Sequence, residues 1–93
     1  MARYDVYRNT GEHAGIVPYL LDVQSEVLSG LDTRIVIPLR RRDSFPISRM
    51  PANLLPEVWV EELLCIVETP KLAAVPLRIL KTPVTSLAGR QTF

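Results

Sequence analysis

Eight prolines, at positions 18, 38, 46, 51, 56, 70, 76 and 83, partition the chain more firmly than any other feature of its sequence. Each lacks a backbone N–H and has a fixed φ, so each breaks a helix interior and within a sheet is confined to edges, bulges and strand ends. Together they leave no room for a long helix. Between them lie short runs rich in Val, Ile, Leu and Tyr, at residues 4–8, 17–23, 34–39, 57–60, 63–68 and 75–80. These predict strands of ordinary length.

Alternation is clearest in Arg34-Ile35-Val36-Ile37, where branched side chains stand on both faces, as in a central, two-sided strand. Asn9-Thr10-Gly11 and Ser29-Gly30-Leu31-Asp32 supply turn chemistry, Gly accepting positive φ and Asn or Asp bonding to nearby backbone. Residues 40–50 mix charge, Ser and Pro without a period and predict a longer surface loop. In the tail, Thr82 is a candidate N-cap with Pro83 at the first helical position, and Gly89 ends that helix early. The expected fold is mainly β: a small antiparallel barrel or strongly bent sheet with a short or truncated C-terminal helix.

The 93 residues are expected to form one domain, 1–93, with a thin core. A hydrophobic share of 47% against 23% charged residues fits a soluble globular chain and is too apolar for a disordered one. The formal charge of +1 provides no global field toward nucleic acid or anionic lipid. No apolar run approaches the roughly 20 residues that span a bilayer, and residues 1–13 lack the apolar core of a signal peptide, so a cytoplasmic location is expected. Cys65, the only cysteine, offers no internal disulfide and at most one thiolate to a metal, which agrees with a reducing compartment. No cofactor or metal is expected.

Few residues stand out for chemistry. Cys65 lies in Leu63-Leu64-Cys65-Ile66-Val67, an apolar setting that reads as core packing. His13 sits among Gly11, Glu12, Ala14 and Gly15 without convergent partners, as a surface turn residue does. Trp59 reads as a core or dimer-interface aromatic. Asp22, Gln24 and Ser25 fit local hydrogen bonding at a strand end, and Val27 and Leu28 fit half-buried packing there.

Three motifs occur in a recognisable order: Tyr4-Asp5-Val6-Tyr7; then Leu21-Asp22-Val23-Gln24-Ser25-Glu26-Val27-Leu28 followed by Val36-Ile37-Pro38-Leu39; then Leu72-Ala73-Ala74-Val75-Pro76-Leu77. In this the chain resembles the CcdB family of toxin–antitoxin toxins over roughly residues 3–88. The resemblance implies an SH3-like barrel with an added sheet and a C-terminal helix, in a homodimer with a two-fold, isologous interface. It implies action by binding and no catalytic residues: the dimer poisons DNA gyrase by inserting between the breakage-reunion (A) subunits. A CcdA-like antitoxin with a disordered acidic tail removes it, and toxin and antitoxin together repress their operon, the antitoxin alone contacting operator DNA. Plasmid maintenance is the associated role.

Carried over residue by residue, the gyrase-binding aliphatic pair maps to Val27 and Leu28, with Ser25 and Glu26 beside them. A second gyrase contact of the best-known members, a helix ending in Trp-Gly-Ile, has no counterpart, since the sequence stops at Phe93. Arg40-Arg41-Arg42, beside Asp43, forms the one charge cluster and is the candidate docking point for the acidic antitoxin tail, against the plainer reading of a solvated loop. Two alternatives stay open: a non-toxic or truncated CcdB-like protein that only binds antitoxin, and a ribonuclease toxin of the MazF/Kid type. The latter needs a general base and a cationic group for which the sequence offers no persuasive set.

Overall fold

The computed structural model describes residues 3–24, 30–44 and 55–88. They form seven strands: β1 (Asp5–Arg8), β2 (Tyr19–Asp22), β3 (Thr33–Arg41), β4 (Glu57–Val60), β5 (Leu63–Val67), β6 (Ala73–Pro76) and β7 (Pro83–Ser86). Every pairing is antiparallel, in the order β4-β5-β3-β2-β1-β7, with β6 on β3. The sheet curls into a half-barrel, so the expected mainly-β, bent-sheet fold is what forms.

β3 is the spine. One edge pairs with β2 over Val36–Leu39, while the other holds β6 along Thr33–Val36 and β5 along Leu39–Arg41. Pro38 lies in this central strand, where a missing donor ordinarily breaks a ladder. Its carbonyl accepts from Glu68 N at 3.1 Å, so its polar edge faces the side where the neighbour changes from β6 to β5. The missing N–H therefore falls in the gap between two partner strands, and the β2 ladder is untouched.

Alternation of side chains sorts the core to the two faces of the sheet. On one face pack Val6, Tyr19, Leu21, Ile37, Leu39, Val60, Cys65, Val67 and Leu87; on the other Tyr7, Leu20, Val36 and Leu80. The loop between β1 and β2 closes as its composition predicts: Gly11 N donates to Asn9 Oδ1 at 3.0 Å, and Asn9 Nδ2 donates to the Val17 carbonyl at 2.8 Å. Gly30 has φ 96°, the positive value that its turn requires.

Three local expectations are corrected. Arg40 and Arg41 continue β3 and are not loop, because Ile66 and Cys65 of β5 lie opposite and extend the ladder. The strand expected at 75–80 spans Ala73–Pro76, and Leu77–Ile79 form a single 3₁₀ turn. The helix expected from Pro83 is instead strand β7, which covers the outer edge of β1. A proline is tolerated at the start of an edge strand, and Val84 and Thr85 favour extended backbone. No α-helix occurs among the described residues; residues 89–93 lie outside them.

Candidate functional site

Ser25, Glu26, Val27 and Leu28 lie outside the described residues, which on this side end at Gln24. β2 ends at Asp22, whose side chain is 0% exposed on the face of Tyr7, Leu20 and Val36. Asp22 Oδ2 accepts from Arg34 Nε at 2.9 Å and stands 2.8 Å from Arg34 Nη2, while Oδ1 accepts from Gln24 N at 3.0 Å. Gln24 then inserts its own side chain into the ladder, Oε1 accepting from Ile35 N at 3.0 Å. The side chain of Gln24 thus does what the next strand carbonyl would do, and frees the main chain to depart.

This polar cluster is buried and nearly closed. Among the described residues, Tyr7 Oη and Arg34 Nη2 are buried without an aligned hydrogen-bond partner. Burial lifts the Tyr7 phenol above its ordinary pKa, with Asp5 and Asp22 adding to the rise and Arg34 opposing it. Asp22 and Gln24 are accordingly structural: they fix the chain as far as residue 24 and offer nothing to solvent.

The three arginines do not make one patch. Strand alternation sends Arg40 and Arg41 to opposite faces. Arg40 Nη2 donates to the Ser44 carbonyl at 2.9 Å. Arg41 grips Asp43 with two bonds of 3.1 and 2.9 Å, which hold that carboxyl below the usual carboxylate range. Arg42, in the 3₁₀ turn Arg42–Ser44, donates to Glu57 Oε2 at 2.7 Å across to β4. Each guanidinium is already engaged within the chain.

Cys65 is buried as expected, its S–H directed at the Leu63 carbonyl at 3.7 Å and its pKa pushed up to about 11 by burial. His13 is exposed. Among the described residues no three His, Cys, Asp or Glu side chains gather to hold a metal, and no helix is long and apolar enough to cross a membrane.

Of the two places expected for Trp59, the core is ruled out: it is in β4 but 61% exposed in the single chain. It borders a cleft of ≈ 330 Å³ with Arg42, Asp43, Glu62, Leu63 and Leu64. The signal was present in the sequence. In Glu57-Val58-Trp59-Val60 the period of two puts Trp59 beside Glu57 and away from the two valines that enter the core.

The hairpin below this cleft turns through Glu61 and Glu62, with φ 50° and 68°. Two-residue hairpins of this kind normally use Asn-Gly, since positive φ strains other residues. Glu61 is fastened there: Tyr19 Oη donates to it at 2.8 Å and Arg8 Nη2 at 2.9 Å. This pins the β4–β5 tip to β1 and β2. Burial, then the bond to Glu61, pushes the Tyr19 phenol up to about 12.

Residues 3–92 match the family model described as CcdB protein. No curated protein matches the chain.

Proposed function

The chain belongs to the CcdB family, toxins of toxin–antitoxin systems, and from that membership we propose that it acts as a homodimer that binds and poisons DNA gyrase. The match over residues 3–92 carries this reading, because it takes in the Asp22-Val23-Gln24-Ser25 motif and the segment 25–28 to which the resemblance maps the gyrase contact. The geometry around that motif supports it. A contact segment is useful only if its ends are held, since every residue ordered on binding subtracts from affinity. Asp22 and Gln24 are locked to Arg34 and Ile35 at one end, and Leu77 N bonded to the Asp32 carbonyl at 2.8 Å steadies the other.

Val27 and Leu28 supply the apolar anchors, with Ser25 and Glu26 as their polar flank, and the activity is binding, not catalysis. The homodimer forms along β6, where Leu72, at 51% exposure, and the exposed Ala73 and Ala74 lie on an edge without a charge.

The antitoxin's acidic tail docks by wrapping the end of β3, meeting Arg40 on one face, Arg41 on the other and Arg42 in the turn beyond. The pairs Arg41–Asp43 and Arg42–Glu57 are at least partly exposed, and solvent screening leaves such pairs little net strength. A tail with several carboxylates displaces them at small cost. The antitoxin supplies the operator contacts of co-repression, consistent with a toxin of charge +1.

Expression in a gyrase-sensitive bacterium, beside a Val27→Asp/Leu28→Asp variant, tests the reading. Growth arrest with DNA breaks, absent in the variant, is expected. Arrest with cleaved mRNA would replace it with a ribonuclease, and tight antitoxin binding without arrest with a protein that only titrates antitoxin.

A further inference from the structure

The Trp59 cleft uses no residue from the motif that carries the gyrase reading, and its chemistry is opposite to that of the arginine cluster. An exposed indole is ordinary on its own. Here it forms one wall of a concavity whose other apolar surface comes from Leu63 and Leu64. The indole N–H, a donor that usually finds a partner when the ring is covered, makes no hydrogen bond among the described residues.

The charges around the cleft nearly cancel, with one left over. Arg42 is matched by Glu57 at 2.7 Å and Asp43 by Arg41 at 2.9 Å. Glu62 makes no hydrogen bond or ion pair among the described residues, so the rim carries one unmatched negative charge. Glu62 is also expensive to keep. It holds φ 68°, where glycine sits without strain, and unlike Glu61 it receives no bond in return.

We propose that this cleft docks a cation-bearing, otherwise apolar segment of a partner protein, one Lys or Arg side chain lying between the Trp59 ring and the Glu62 carboxylate. The ring face attracts the cation, the carboxylate pairs with it, and Leu63 and Leu64 receive the flanking aliphatic side chains. An acidic segment meets Glu62 as a like charge and is rejected. The cleft and the arginines, which meet at Arg42, therefore sort partner segments by sign: acidic ones on the arginine side, basic ones beside Glu62.

Trp59 is the chain's only tryptophan, so its fluorescence and its single indole N–H resonance report this site directly. The purified protein is titrated with the capped pentapeptide Val-Leu-Arg-Leu-Val and with its Arg→Gln and Arg→Glu counterparts. Saturable shifts at Trp59 are expected, with the Arg peptide binding about tenfold more tightly than the Glu peptide. Glu62→Gln should reduce that preference about fivefold, while Trp59→Phe keeps a weaker form of it, followed by the Leu64 methyl resonances. Equal binding of all three peptides, a preference unchanged in Glu62→Gln, or no saturable shift at Trp59 would overturn the proposal. No gyrase is present in the assay, so failure here is distinct from failure of the poisoning reading.

Discussion

Asp22 and Arg34 form an ion pair with side chains 0% and 4% exposed, and burial decides what each is worth. Such a pair adds little net stability over apolar groups of the same shape, yet removing one partner leaves a desolvated charge alone. Asp22→Ala should therefore cost about 3–5 kcal/mol in urea unfolding, a large share of a small domain's stability. Asp22→Leu combined with Arg34→Met should recover much of it. A loss under about 1 kcal/mol for the single variant would mean that the pair is solvated after all.

Three buried acids, Tyr7, Tyr19 and Cys65, are raised by burial and together set the alkaline limit. Tyr19 rises from 10.0 to about 12 and Cys65 from 9.0 to about 11, so the unfolded chain ionises each group before the folded one does. Their contribution is complete below about pH 9 and is lost as pH climbs toward about 11 for Cys65 and about 12 for Tyr19. Unfolding midpoints should be flat from neutral pH to about 9 and fall beyond it. Cys65→Ala should remove the lower part of the fall and Tyr19→Phe the upper part; a decline unaltered in both would place its origin elsewhere.

At the scale of single elements, the β4–β5 hairpin carries the clearest conflict between local preference and observed backbone. Glu62→Gly relieves φ 68° and forfeits no bond among the described residues, so it should raise stability by about 1 kcal/mol. Glu61→Gly relieves a similar strain but loses the bonds from Tyr19 and Arg8, and should give no gain. Comparing the two midpoints separates strain from contact, and a destabilised Glu62→Gly would show that its carboxylate has a partner.

What the sequence made legible at this scale followed from period and from proline. Glu57–Val60 is a strand over the span that its alternation predicts, and β5 ends one residue early, at Val67. The tail is ambiguous in sequence because Thr82-Pro83 satisfies the rules for a helix start and for an edge strand equally well. Only the unpaired edge of β1, a long-range fact, chooses between them. The arginines were misjudged in placement for a related reason. Adjacency in sequence looks like a patch, but in β3 adjacent residues face apart, and their acidic partners Asp43 and Glu57 are two and fifteen positions away. Asp22 and Gln24, by contrast, were read as local hydrogen-bonding residues, because a strand end is where such side chains finish a ladder.

Across the whole molecule, a half-barrel leaves edges that a closed barrel would not, and the edges differ in how they are protected. β4 carries Glu57 and β7 begins with a proline, both devices that discourage further strand pairing. β6 has neither charge nor bulge: from Leu72 to Leu77 the sequence is Leu-Ala-Ala-Val-Pro-Leu, with Leu72 and Leu77 exposed at 51% and 37% and Leu31 at 51% beside the Asp32–Leu77 bond. Left bare, an apolar edge of this kind invites association without limit; covered by a second copy about a two-fold axis, it closes. That is the reason for placing the proposed homodimer here. The axis also sharpens the test, because one substitution is felt twice. Ala74→Lys sets two ammonium groups near each other across the axis and should weaken the dimer by roughly tenfold or more in sedimentation equilibrium. The fold should survive, as residue 74 is exposed in the single chain. A variant that stays as dimeric as the parent would move the interface away from β6, and β4 with Trp59 would then be the next edge to examine.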